Sequence, residues 1–170
     1  MKKRPIAIVT GGAGFIGSHT VDRLLRENYI VRVIDNLVSG RESNLEKHKT
    51  DPRLLCEWRD VCKLNKNNAL FKGAKYVFHF AGIGDLIPSI ENPEKYMMNN
   101  VQGTVKVLEC SRENKIKKFV YAASSSCYGL AKIPTKENHP IKPEYPYALS
   151  KYLGEESTFH WKKIYDLPVN

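Results

Sequence analysis

Tyr147 and Lys151 stand four residues apart in the run Tyr147-Ala148-Leu149-Ser150-Lys151. On a helix that spacing puts both side chains on one face, about one turn apart. A free phenol ionises near ~10 and is a poor base at neutral pH. An ammonium beside it favours the phenolate. The pair is therefore a candidate general base with its supporting cation. The same spacing also occurs on ordinary amphipathic helices, so the position of the pair in the fold must decide. Upstream, Ala122-Ala123-Ser124-Ser125-Ser126-Cys127-Tyr128-Gly129 leaves an apolar run. A hydroxyl there could touch the oxygen that loses its proton. Spacing alone does not choose among Ser124, Ser125 and Ser126, and three serines also suit a plain strand-end loop.

A second constellation lies near the start. Thr10-Gly11-Gly12-Ala13-Gly14-Phe15-Ile16-Gly17 joins an apolar run to a helical pattern. It reads as a glycine turn whose backbone can approach a pyrophosphate, with a helix start offering free N–H groups to the phosphates. Asp35 follows about twenty residues on, where an acid accepts hydrogen bonds from ribose hydroxyls and repels a 2′-phosphate. That context points to a dinucleotide and favours NAD over NADP. Asp60-Val61 offers a carboxylate for an adenine amino group, with a helix N-cap as the alternative. In His79-Phe80-Ala81-Gly82, the small residues leave room for the cofactor to pass, and His79 reads as structural.

The elements that must position these groups alternate. Ile6 to Thr10, Ile30 to Ile34, Leu54 to Arg59, Tyr76 to Phe80 and Lys118 to Ala122 read as buried strands. Phe15 to Asn28 carries Ile16, Val21, Leu24 and Leu25 at helical spacing. Helices are also expected over Glu42 to Lys49, Lys63 to Phe71, Pro93 to Asn114 and Tyr147 to Tyr165. Residues 129–146 carry four prolines and read as a loop. Alternation of this kind implies an α/β, Rossmann-like, doubly wound parallel sheet with helices on both faces. Each motif above falls at the carboxyl end of a strand, where such sheets bind ligands.

Taken in order, the glycine turn, Asp35-Asn36-Leu37, His79-Phe80-Ala81-Gly82, Asn99-Asn100-Val101-Gln102-Gly103-Thr104, Val120-Tyr121-Ala122-Ala123-Ser124-Ser125-Ser126 and Pro146-Tyr147-Ala148-Leu149-Ser150-Lys151 resemble the extended short-chain dehydrogenase/reductases. The resemblance covers essentially the whole chain and is to their NAD-dependent sugar epimerase/dehydratase group. It implies Ser124 as the catalytic hydroxyl, Tyr147 as general base and Lys151 as its partner. It implies NAD held by Gly11, Gly14, Phe15, Ile16, Gly17, Asp35, Asn36, Asp60, Val61, Phe80, Ala81, Gly82, Tyr147 and Lys151. The cofactor-contacting asparagine falls on Asn99, with Asn100 the alternative. The implied substrate is a nucleotide-diphosphate sugar, a UDP-sugar above all, and the implied reaction 4-epimerisation through a 4-keto intermediate. Acidic residues follow the catalytic hydroxyl in the group's 4,6-dehydratases. Here Ser125 and Ser126 occupy those places, which favours epimerisation. Galactose epimerases often carry a lysine where this sequence has Gly84. Relatives pair through the two long helices, so a homodimer is expected. Their pattern continues past Leu167-Pro168-Val169 into a sixth strand and a smaller substrate-binding domain. The expectation is one NAD-binding domain over 1–170, truncated before that second domain.

The bulk numbers agree. With 42% hydrophobic residues among 170, a sizeable core can form. The net charge of +9 is spread over scattered lysines such as Lys47, Lys66, Lys106 and Lys115, without interleaved aromatics. That argues against nucleic acid and suits an anionic diphosphate. No apolar run approaches the ~20 residues of a membrane span. The basic start lacks a signal peptide's apolar region, so the reading is cytoplasmic. Cys56, Cys62, Cys110 and Cys127 form no metal-ligand spacing and read as free thiols; Cys127 is given a packing role.

Overall fold

Five β-rich apolar runs form one parallel sheet in the computed structural model, which describes residues 3–170. They are β1 (Ile6–Thr10), β2 (Ile30–Asp35), β3 (Leu54–Trp58), β4 (Tyr76–His79) and β5 (Lys118–Tyr121). Each matches its expected run to within a residue. The spatial order β3-β2-β1-β4-β5 winds outward from β1 in both directions. The carboxyl ends of β1 and β4 therefore flank the crevice where the winding reverses. Met1 and Lys2 of the basic start lie outside the described residues.

The faces of the sheet are covered by different helices. On one, Ala7, Val9, Val31 and Val33 pack with Val21, Leu24 and Leu25 of α1 (Phe15–Arg26). On the other, Ile8, Ile34, Val77 and Phe119 pack with Val107 and Leu108. Alternate residues of one strand serve the two cores, as the strand period requires. Fully buried Phe119 is worth about 3–5 kcal/mol by the usual cost of truncating such a ring to alanine.

The long helix expected over Pro93 to Asn114 is three pieces in one path. They are α3 (Pro93–Tyr96), a π-helical stretch Met97–Gln102 and α4 (Gly103–Glu113), preceded by a short α2 (Leu86–Glu91) that the sequence pattern did not reveal. Wider turns of this kind are frequent at functional sites. α5 (Pro146–Tyr165) starts with Pro146 in its first turn and stops at Asp166, whose φ of 52° is left-handed.

Two expectations need correction. No helix fills Lys63 to Phe71; two three-residue 3-10 turns, Val61–Lys63 and Ala69–Phe71, stand there instead. Asn65 and Asn68 explain the break. Their side chains accept the N–H groups of Asn67 (3.0 Å) and Leu70 (2.9 Å), offering the backbone local turns in place of a helix. The segment Glu42–His48 is helical but tight, with 3-10 geometry.

Past α5, Phe119 N–H donates to Pro168 O at 2.8 Å and Asn170 N–H to Phe119 O at 2.9 Å. Val169 thus bridges β5 in parallel, where a sixth strand was expected. Among the described residues, no helix is long and apolar enough to cross a membrane.

Candidate active site

The glycine turn leaves β1 and is folded by its own backbone. Gly11 N–H donates to Ile34 O (2.8 Å) and Gly14 N–H to Gly11 O (3.1 Å). The first bond of α1 runs from Ser18 N–H to Gly14 O, so the N–H groups of Phe15, Ile16 and Gly17 remain unspent. They form the positive end of the helix dipole, the arrangement that receives phosphate. Gly17 is required by contact: a Cβ there would lie 2.1 Å from Gly11 O.

Asp35 is buried at the end of β2. Its Oδ2 accepts Ala13 N–H at 2.9 Å and its Oδ1 accepts Leu37 N–H at 2.8 Å. Both oxygens keep a lone pair for ribose hydroxyls. Asp35 and Asn36 line a cleft with Gly11, Gly14, Val61, Phe80, Ala81, Gly82 and Asn99. Arg59 lines it too, a residue the sequence reading missed. Its Nε lies 2.6 Å from Glu57 Oε1. The cleft thus fits a dinucleotide: free helix-start donors, a glycine contact no side chain could replace, and an anchored carboxylate.

The structure separates several paired readings. Asp60 spends Oδ1 on Cys62 N–H (2.9 Å), the N-cap reading, and lies on an adjoining hollow with Asn99 while Val61 meets the main cleft. Asn99 lines that cleft, whereas Asn100 is buried and spent. Asn100 accepts Ile83 N–H (2.8 Å) and donates to Ile83 O (3.0 Å) and Ser150 Oγ (2.9 Å). It pins the chain after β4 to α5, from the π-helical stretch. His79 is structural. Thr104 Oγ1 donates to Asn100 O (2.6 Å), so it accepts from His79 Nε2 (2.9 Å); Nδ1 then accepts from Thr10 Oγ1 (2.6 Å). Burial holds this imidazole neutral, down to about 3. Cys127 is buried, as a packing role requires, and burial pushes its thiol up.

At the other end, Tyr147 and Lys151 line one groove with Gly11, Gly14, Phe15, Ile16, Gly17, Phe80 and Gly82. Phe15 and Ile16 are exposed there rather than packed in the core. Lys151 Nζ donates to Ala122 O (2.6 Å) and sits 4.4 Å above the Tyr121 ring. Burial draws its ammonium down to about 8, against a smaller upward pull from Glu155. The Tyr147 ring is stacked on Tyr145 and meets Tyr96 edge-on. Ala122 and Ala123 line this groove, and Ser124 stands just beyond its lining. Ser124 Oγ lies 2.7 Å from Ser126 Oγ and accepts Ser126 N–H at 3.3 Å. Ser125 is exposed.

Residues 7–169 match the model of the NAD dependent epimerase/dehydratase family. The chain is 39% identical over 163 residues to a putative UDP-glucose 4-epimerase of Methanocaldococcus jannaschii, covering 94% of this chain and 52% of that protein. It overlays a UDP-N-acetylglucosamine 4-epimerase from Methanobrevibacter ruminantium, solved with UDP-N-acetylmuramic acid, with a TM-score of 0.91, 34% identity and coverage of 99% and 54%. A dTDP-glucose 4,6-dehydratase from Streptomyces venezuelae, solved with NAD bound, gives a TM-score of 0.90 at 31% identity, covering 96% and 53%. The chain spans about half the length of the curated relatives it matches. With a glycine cradle and a Tyr–Lys pair on one groove, and a match to the family's model over residues 7–169, the chain belongs to the NAD dependent epimerase/dehydratase family.

Proposed function

We propose that this chain is the cofactor-binding part of a nucleotide-sugar 4-epimerase acting on a UDP-sugar. The carrying observation is that Tyr147 and Lys151 line the same groove as the glycine turn. In this reading Tyr147, as phenolate, takes the proton of the sugar 4-hydroxyl. Ser124 hydrogen-bonds the same oxygen. Lys151, in the groove lining and largely buried, supports the phenolate and holds a ribose hydroxyl. NAD, when bound, would supply a reversible hydride acceptor for the sugar carbon. Gly11, Gly14, Phe15, Ile16 and Gly17 hold its diphosphate. Asp35 and Asn36 hold the adenosine ribose, and Val61, Phe80, Ala81, Gly82 and Asn99 wall its path.

A 4,6-dehydratase is the second reading, favoured by the high overlay with the Streptomyces venezuelae enzyme. Elimination needs an acid beside the catalytic hydroxyl, and Ser125 and Ser126 supply none. A non-catalytic NAD-binding module would have no use for the Tyr147–Lys151 pair. We assign residues 1–170 to one unit and the sugar-selecting part to a further domain. Pairing of two copies through α5 and the helix ending in α4 is consistent with exposed Leu149, Leu153 and Phe159 on α5.

The test uses the chain extended to its relatives' full length. Incubation with UDP-glucose and UDP-N-acetylglucosamine should yield the 4-epimers. Tyr147→Phe should cut turnover by roughly 10²–10⁴-fold, the usual worth of a general base, with NAD affinity kept. Turnover that survives this change would overturn the mechanism.

A further inference from the structure

We infer that Asn44 is a positioning residue for the cofactor, locking the glycine turn from the far side of β2. The inference rests on reading the cleft as the NAD site. Ala13 sits in the middle of the turn and is wholly buried. Both its backbone groups are tied to the end of β2 and the chain that follows it. Its N–H donates to Asp35 Oδ2 at 2.9 Å. Its carbonyl accepts Arg41 N–H at 3.0 Å and Asn44 Nδ2 at 2.7 Å. Gly40 crosses directly above: a Cβ there would lie 2.9 Å from Asp35 Oδ1 and 3.0 Å from Ala13 C.

The direction of that carbonyl matters to an anion. A turn that receives phosphate must show donors to it and keep its carbonyl oxygens averted. With two donors behind it, the Ala13 carbonyl is turned into the protein, and the free N–H groups of Phe15, Ile16 and Gly17 follow at the helix start. Asn44 is itself held in place. Leu45, next to it, is buried in the core. Lys47 and His48 both bond the buried Asp22 of α1, His48 Nε2 at 2.6 Å from Oδ1. The 3-10 segment is thus a brace between α1 and the turn.

Only the donor end of a carboxamide can do this, which gives the test its form. NAD is titrated by calorimetry into the unaltered chain, Asn44→Ala and Asn44→Asp, alongside thermal unfolding without NAD. Asn44→Ala should weaken NAD about five- to tenfold, the worth of one hydrogen bond. Asn44→Asp, which sets an oxygen against the Ala13 carbonyl, should weaken it more than Asn44→Ala does. A merely structural residue would shift both unfolding midpoints and leave NAD affinity alone. Asn44→Ala retains the Arg41 bond and decides the question should Asn44→Asp not fold. Affinity within twofold of the unaltered chain for Asn44→Ala would overturn the inference while leaving the cofactor reading intact. No NAD binding by the unaltered chain would overturn both.

Discussion

At the nucleotide end of the groove, Ala13, Asp35, Leu37, Arg41 and Asn44 are joined by four hydrogen bonds of 2.7–3.0 Å. The walls there are main chain and small residues, and their donors point at one place. At the Tyr147 end the machinery is side chains carried by late elements. The elements that follow β4 and β5 show bare apolar surface: Ile87 is 68% exposed, Leu130 90% and Ile133 96%. Exposed apolar groups in quantity mark surfaces that something else covers. The contrast teaches how the work is divided. On the proposed reading, a dinucleotide is recognised by what the first strands and helix make on their own, and the sugar chemistry falls to Tyr147 and Lys151, next to this bare surface.

The largest blow to the nucleotide end should come from Gly17→Val. Its side chain must displace Gly11 O, so NAD affinity should fall at least ~100-fold, read by titration, with the circular dichroism spectrum largely kept. A near-normal affinity would mean that the turn is not the phosphate cradle. Next comes the clamp that joins the two ends. His79 is held neutral at about 3, below its ordinary value, so the unfolded chain takes up a proton that the folded one refuses. Stability is therefore fully present above about pH 6.5 and is lost as pH falls from there toward 3. Unfolding midpoints measured across that range should fall steadily in the unaltered chain and flatten in His79→Gln, which should cost roughly 1–3 kcal/mol at neutral pH.

A smaller effect belongs to the brace behind the nucleotide end. Burial pulls Asp22 upward, but hydrogen bonds from Lys47 and His48 outweigh it and hold the carboxyl below its ordinary value. Its contribution is present above about pH 3.8 and is lost as pH falls through the lower folded value. Asn at this position should lower stability by roughly 1–3 kcal/mol at neutral pH, a deficit that closes in strong acid. The smallest change tests the other end. Ile133→Ser removes an exposed side chain and should move the unfolding free energy by under ~0.5 kcal/mol. A clear loss would show that the bare surface already packs within this unit.

Much of this was legible in the residues. β-branched runs and a glycine turn have local causes, so the five strands, α1 and the cofactor cleft followed from pattern. So did the shared face of Tyr147 and Lys151. What escaped depends on contacts distant in sequence. The π-helical turn that buries Asn100 and turns Asn99 to the cleft has no periodic signature, because its cause is the bond to Ile83 and Ser150. Asparagines break the helix expected after Lys63, and the signal lies in Asn65 and Asn68, whose side chains compete for backbone N–H groups. Arg59 and Asn44 carry no such local signal: both are exposed, and only the fold brings Arg59 to the cleft lining and Asn44 Nδ2 to the Ala13 carbonyl.

The contrast between the two ends is tested most directly by titrating this chain, in parallel, with NAD and with UDP-glucose. The account predicts one saturable NAD site, at least tenfold weaker for NADP because Asp35 faces the ribose. It predicts far weaker binding of UDP-glucose, whose pocket the unit does not complete. Absence of NAD binding, or UDP-glucose binding as tight as that of NAD, would contradict it.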